Sequence, residues 1–93
     1  MIPRKVRILG KIYDVVDKDL KNSYGLCHDR SQTISVLPAM APDLEKDTLL
    51  HECIHAIDYH LQLKLTEHQV GSLAMAIYAL LKDNPELESY LIG

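Results

Sequence analysis

The spacing of apolar and polar positions changes its period near Pro38-Ala39-Met40-Ala41-Pro42, dividing the chain into a strand-forming part and a helix-forming part. In the first part, Val6 to Leu9 and Ile12 to Val16 are β-branched-rich runs around Gly10-Lys11. A glycine at the first central position suits a two-residue hairpin turn, so these runs are predicted to pair antiparallel. Asn22-Ser23-Tyr24-Gly25 then punctuates the chain. Leu26 to His28 and Gln32 to Leu37 predict a second strand pair closed around Asp29-Arg30-Ser31, with Thr33, Ser35 and Leu37 alternating against Ile34 and Val36.

In the second part, Asp43 follows Pro42 and is the expected N-cap of a helix running to roughly His60 or Leu61. Its apolar face, Leu50, Cys53, Ile54, Ile57 and Leu61, lies about 180° from the midpoint of His51 and His55. Thr66 is the expected N-cap of a second helix, with Glu67 and Gln69 in its first turn and Asn84-Pro85 ending it after Asp83. Val70, Leu73, Ala74, Ile77, Leu80 and Leu81 form its apolar stripe. Gly71 in mid-helix costs about 1 kcal/mol relative to Ala, which makes sense if the two helices approach closely there. Pro85 starts a short third helix over Glu86 to Leu91. The pattern therefore predicts an α+β fold: a small antiparallel N-terminal sheet, then a long helix, a second packing helix and a short C-terminal helix.

Ninety-three residues, 47% apolar and 25% charged, suit one soluble domain, residues 1–93, around one core. Without Trp or Phe that core is thin, and a bound metal would add to its stability. A net charge of -3 offers no basic footprint for nucleic acid, and Arg4-Lys5-Val6-Arg7 reads as the solvated face of a strand. No stretch approaches the ~18 apolar residues that span a bilayer, and no leader pattern opens the chain. A cytoplasmic location is the expectation, with Cys27 and Cys53 as free thiols in a reducing compartment.

The chemistry is concentrated in His51-Glu52-Cys53-Ile54-His55. Residues four apart on an α-helix stand about 40° from each other and one turn apart, so both imidazoles reach one ion. Glu52 flanks that face, where its carboxylate can take a proton from a metal-bound water without being a ligand. Zinc suits such a site because it accepts imidazole nitrogen with few ligands and acidifies bound water. A chain with five His and five Glu contains this motif by accident about once in seventy, so its placement on an amphipathic helix strengthens the reading.

A catalytic zinc takes a third protein ligand and keeps one position open. The candidates are His60, Glu67, His68 and Cys27. His60 falls about 140° from the metal face and reads as a helix-end residue, His68 faces away from the second helix's stripe, and Cys27 reads as a strand residue. A third histidine at the longer metzincin spacing is absent, since that residue is Leu61. Glu67 lies at the edge of the stripe, on the line of Gly71, Ala74 and Tyr78, and can look toward the first helix; the alternative is a carboxylate favoured there by the helix dipole.

Thr48-Leu49-Leu50-His51-Glu52-Cys53-Ile54-His55-Ala56, followed by Leu65-Thr66-Glu67, Leu73-Ala74, Tyr78-Ala79-Leu80-Leu81 and Asp83-Asn84-Pro85, resembles the short phage and prophage proteins of the ImmA/IrrE-like zinc metallopeptidase group. The resemblance spans about Thr48 to Pro85. It implies a zincin-like, minimal gluzincin fold, with His51, His55 and Glu67 as zinc ligands and Glu52 as general base. It also implies a protein or peptide substrate, by analogy a repressor of a mobile element, and substrate binding by addition to an edge strand, for which Gln32 to Leu37 is the candidate. The expected activity is zinc-dependent peptide-bond hydrolysis. The competing readings are a non-catalytic, metal-stabilised protein-binding module of a phage or mobile element, and a metal-free interaction domain.

Overall fold

The computed structural model describes residues 1–93 as a four-stranded sheet and three helices, an α+β fold. The strands are β1 (Lys5–Ile8), β2 (Lys11–Asp17), β3 (Gly25–His28) and β4 (Thr33–Val36), and the helices α1 (Pro42–Leu61), α2 (Glu67–Asp83) and α3 (Pro85–Ile92). They stack in layers: α1 lies on the sheet, α2 packs on α1, and α3 packs on α2. No helix is long and apolar enough to cross a membrane.

The strand order is β1-β2-β4-β3, and β2 pairs parallel with β4 while the other pairs are antiparallel. The sheet is thus mixed, which corrects the antiparallel expectation. Both hairpins form, yet the second enters the sheet with β4 inside and β3 outside. Ile34, Ser35 and Val36 are all buried, as befits an interior strand. The edge next to α1 is therefore β3, and the Gln32 to Leu37 run, expected at the edge, is paired on both sides.

The first hairpin turns one residue earlier than predicted. Ile8 pairs with Lys11, so Leu9 and Gly10 are the central residues, with φ of 50° and 83°. Positive φ at both positions is what a type I′ turn requires, and glycine occupies the second of them.

Two apolar clusters flank α1. Ile8, Tyr13, Val15, Ile34, Val36 and Ala56 form the larger, between sheet and helix, with Leu49, Cys53 and Ile57 packed against it. Ile54, Val70 and Ala74 form the smaller, between α1 and α2. The single expected core is thus split across one shared helix. Leu61, assigned to the apolar face, is 54% exposed because it lies in the last turn, beyond the end of the sheet contact. Leu73, Ile77 and Leu80 of the predicted stripe are also exposed, since α2 has only α1 and α3 as neighbours.

The helix ends follow local chemistry. Pro42 occupies the first turn of α1 after Ala41, so Asp43 lies inside the helix rather than at its N-cap. At α2 the expected cap is present in full: the Thr66 hydroxyl accepts from Gln69 N–H at 3.1 Å, and Gln69 Oε1 accepts from Thr66 N–H at 2.9 Å. A Cβ built on Gly71 would stand 3.7 Å from His51 Cε1, an ordinary contact. The helix approach therefore does not demand glycine at that position.

Candidate metal centre

On α1, His51 and His55 stand one turn apart with ring centroids separated by 4.9 Å. What brings a third group to them is the connection Gln62–Thr66. Gln62 and Lys64 adopt left-handed backbone (φ 53° and 61°), Leu63 N–H donates to the Asp58 carbonyl at 3.2 Å, and Leu65 N–H donates to Asp58 Oδ1 at 3.2 Å. The chain reverses, the Thr66 cap sets the start of α2, and Glu67, its first residue, faces the histidines.

Glu67 reaches both rings. Oε1 is 2.6 Å from His51 Nε2 and Oε2 is 3.0 Å from His55 Nε2. One ligand atom from each of the three residues lies within 4.8 Å of the other two, close enough for the set to hold a metal ion. Around a tetrahedral zinc with bonds near 2.0–2.1 Å, ligand atoms stand roughly 3.4 Å apart, a spacing these groups span. Two imidazole nitrogens and a carboxylate form a donor set zinc accepts, and the 72% exposure of the Glu67 side chain leaves the cluster open to solvent.

No family model, curated protein or solved structure matches this chain.

Glu52 is 6% exposed and lies beside the histidine pair, on the side of α1 facing β3. Burial raises its carboxyl above the ordinary range; the adjacent His51 and His55 oppose that rise, and Glu67 adds to it. Its neighbour across the gap is Gly25. A Cβ there would stand 2.8 Å from Thr48 Cγ2, 3.0 Å from Glu52 Cγ and 3.1 Å from Glu52 Oε2. Only a residue without a side chain lets the edge strand come this close. In the sequence Gly25 reads as turn punctuation, and nothing local marks the contact.

A cleft runs past Glu52 on both sides. One half, about 630 Å³, lies between the segment Leu20–Gly25 and α1, with Asp47, Thr48 and His51 on the helix side. The other, about 490 Å³, lies along β3, with His55, Asp58 and Tyr59 opposite. Glu52 and Glu67 line both halves.

The remaining candidates are engaged elsewhere or exposed. His60 lies away from the cluster, with Nε2 2.7 Å from the Tyr13 hydroxyl, which in turn donates to Asp29 Oδ1 at 2.7 Å. A hydroxyl has one proton; given to Asp29, it leaves His60 Nε2 as the donor to the tyrosine oxygen. Cys27 Sγ also donates to Asp29 Oδ1, at 3.4 Å. Burial first, then the Asp29 charge, pushes the Cys27 thiol well up, while burial with Glu52 nearby pushes Cys53 up to about 11. Neither thiol belongs to the group formed by His51, His55 and Glu67. His68 is exposed, as expected, and Tyr78 donates to Asp43 Oδ1 at 2.7 Å, tying α2 to the start of α1.

Proposed function

We propose that this chain is a zinc-dependent peptidase of the ImmA/IrrE-like kind, with His51, His55 and Glu67 as zinc ligands and Glu52 as general base. The observation that carries this reading is the closure of Glu67 onto both imidazoles beside a buried, non-ligating glutamate in an open cleft. Zinc, when bound, supplies a Lewis acid and a water acidified to a pKa of about 7. Glu52 accepts the proton of the attacking water and passes it to the leaving amine. Glu52 packs beside Gly25 and lines both halves of the cleft, so its carboxyl group borders the space a substrate would occupy.

The substrate in this reading is an extended stretch of polypeptide. β3 is paired only with β4, leaving its other edge open above the cleft, and such an edge accepts a further strand through backbone hydrogen bonds. Cleft on both sides of Glu52 accommodates chain on both sides of the scissile bond. A repressor of a mobile element is a protein substrate of this class.

The test is Glu52→Gln. Hydrolysis of a peptide library disappears while zinc content and fold persist; retained turnover in that variant removes the mechanism. One observation favours a second reading, a non-catalytic module held together by metal: the apolar contact between α1 and α2 is small, with Ile54, Val70 and Ala74 buried and Leu50 and Leu65 partly buried against them. In that case zinc removal unfolds the chain, and no wild-type preparation cleaves the library.

A further inference from the structure

The apolar surface of α2 is wider than α1 covers. Val70 and Ala74 are buried with Ile54 of α1, but Leu73, Ile77 and Leu80 remain 43%, 37% and 50% exposed. With the exposed Ala76 they form a second seam, at the i, i+3, i+4, i+7 spacing by which one helix packs on another. No acidic or basic side chain interrupts α2 from Gln69 to Leu81, and a helix apolar on every side is normally a buried one. α3, packed on α2, buries no residue and leaves Tyr90, Leu91 and Ile92 exposed. At 100° per residue the seam stands about 130° around α2 from Glu67, clear of the metal cluster.

We propose that a second copy of the chain docks on this seam, with the two α2 helices antiparallel about a two-fold axis between Ala76 and Ile77. The spacing of the seam points to self-pairing. Its four positions fall in the same places when the helix is turned end for end, so Leu73 of one copy meets Leu80 of the other, while Ala76 and Ile77 each meet their own equivalents. A foreign helix would need no such symmetry. One turn beyond each leucine, Gln69 meets Asn84, so the rim brings uncharged polar groups together rather than like charges. The seam and the exposed side chains of α3 offer on the order of 600 Å² of apolar surface, against roughly 800 Å² per partner in a standard-size interface. That is the small end of specific contacts, so the dimer forms in proportion to protein concentration. Pairing through this seam is independent of the peptidase reading.

Sedimentation equilibrium of the full chain from about 1 to 200 μM is expected to show a monomer–dimer equilibrium. Ile77→Glu, which brings two carboxylates together at the axis, weakens it about a hundredfold or more. Met75→Glu, at an exposed apolar position on another side of α2, leaves it as in the wild type. Oxidative cross-linking reads the orientation and needs no charged variant. Leu73→Cys and Leu80→Cys chains join when mixed, and each alone joins far less; the wild type, with Cys27 and Cys53 partly buried, is the blank. A wild type that stays monomeric over this range, a dimer indifferent to Ile77→Glu or equally weakened by Met75→Glu, or Leu73→Cys joining to itself as readily as to Leu80→Cys, each overturns the proposal.

Discussion

Gly25 lies directly against Glu52, with the position of its missing Cβ 3.0 Å from Glu52 Cγ. The edge strand of the sheet and the candidate base on α1 are thus in van der Waals contact through a residue with no side chain. Gly25→Ala forces one of them to move. Overpacking of this kind costs about 1–3 kcal/mol, and the displaced group with the most freedom is the Glu52 carboxylate. The expected result is a lower melting temperature and a fall in peptide hydrolysis larger than the loss of folded protein, with zinc affinity close to wild type.

Asp58 sets the reach of Glu67. Its side chain accepts from the Leu65 amide, and its carbonyl accepts from Leu63, in the turn that delivers α2 to the histidines. Asp58→Ala leaves the Leu65 N–H without its partner, at a cost of about 1–3 kcal/mol, and loosens the approach of Glu67. Zinc affinity by competition with a chelator is expected to fall together with stability, while Asp58→Asn, which keeps an acceptor oxygen, restores most of both.

Some of this was legible in the sequence and some was not, for a common physical reason. His51, Glu52 and His55 share one helix, so the 100° step per residue fixes their relation without tertiary information. Glu67 was reachable because the Thr66 capping box sets the register of α2 and the apolar stripe sets its rotation. Gly25 and the Tyr13–Asp29–His60 chain act between elements far apart in sequence, where periodicity is silent; Asp58 acts only seven residues away, but through an irregular turn that has no periodicity to read. The parallel pairing of β2 with β4 was missed on the same ground: each hairpin is a local event, but insertion of the second with β4 innermost is decided by which strand buries both faces. Asp43 is not the cap because Pro42 is compatible with the first helical turn and starts the helix two residues sooner than an Asp43 cap would.

Asp43 links the two ends of the helical layer, accepting from Tyr78 at 2.7 Å and Lys82 at 3.1 Å. The Tyr78 and Lys82 hydrogen bonds, with the Lys82 charge, hold its carboxyl below the ordinary value of 3.8. The bond to Asp43 holds Tyr78 and Lys82 above theirs, 10.0 and 10.5. A depressed acid contributes stability present above its unfolded value and lost as pH falls through the folded one; the two raised groups contribute stability present below their unfolded values and lost as pH rises through the folded ones. The difference in melting temperature between wild type and Asp43→Asn is therefore expected to be flat from about pH 5 to 9 and to close at both extremes. High salt reduces it throughout, since the two charged groups, Asp43 and Lys82, are exposed.

The claim on which the rest depends is that two imidazoles of α1 and the first carboxylate of α2 grip one divalent cation. Calorimetric zinc titration of the wild type beside Glu67→Ala tests it most directly. The account predicts one zinc per wild-type chain, stabilisation of about 2.7 kcal/mol at a hundredfold excess over the dissociation constant, and at least about tenfold weaker binding in the variant. Zinc binding of equal strength in both proteins, or no saturable binding in the wild type, would contradict it.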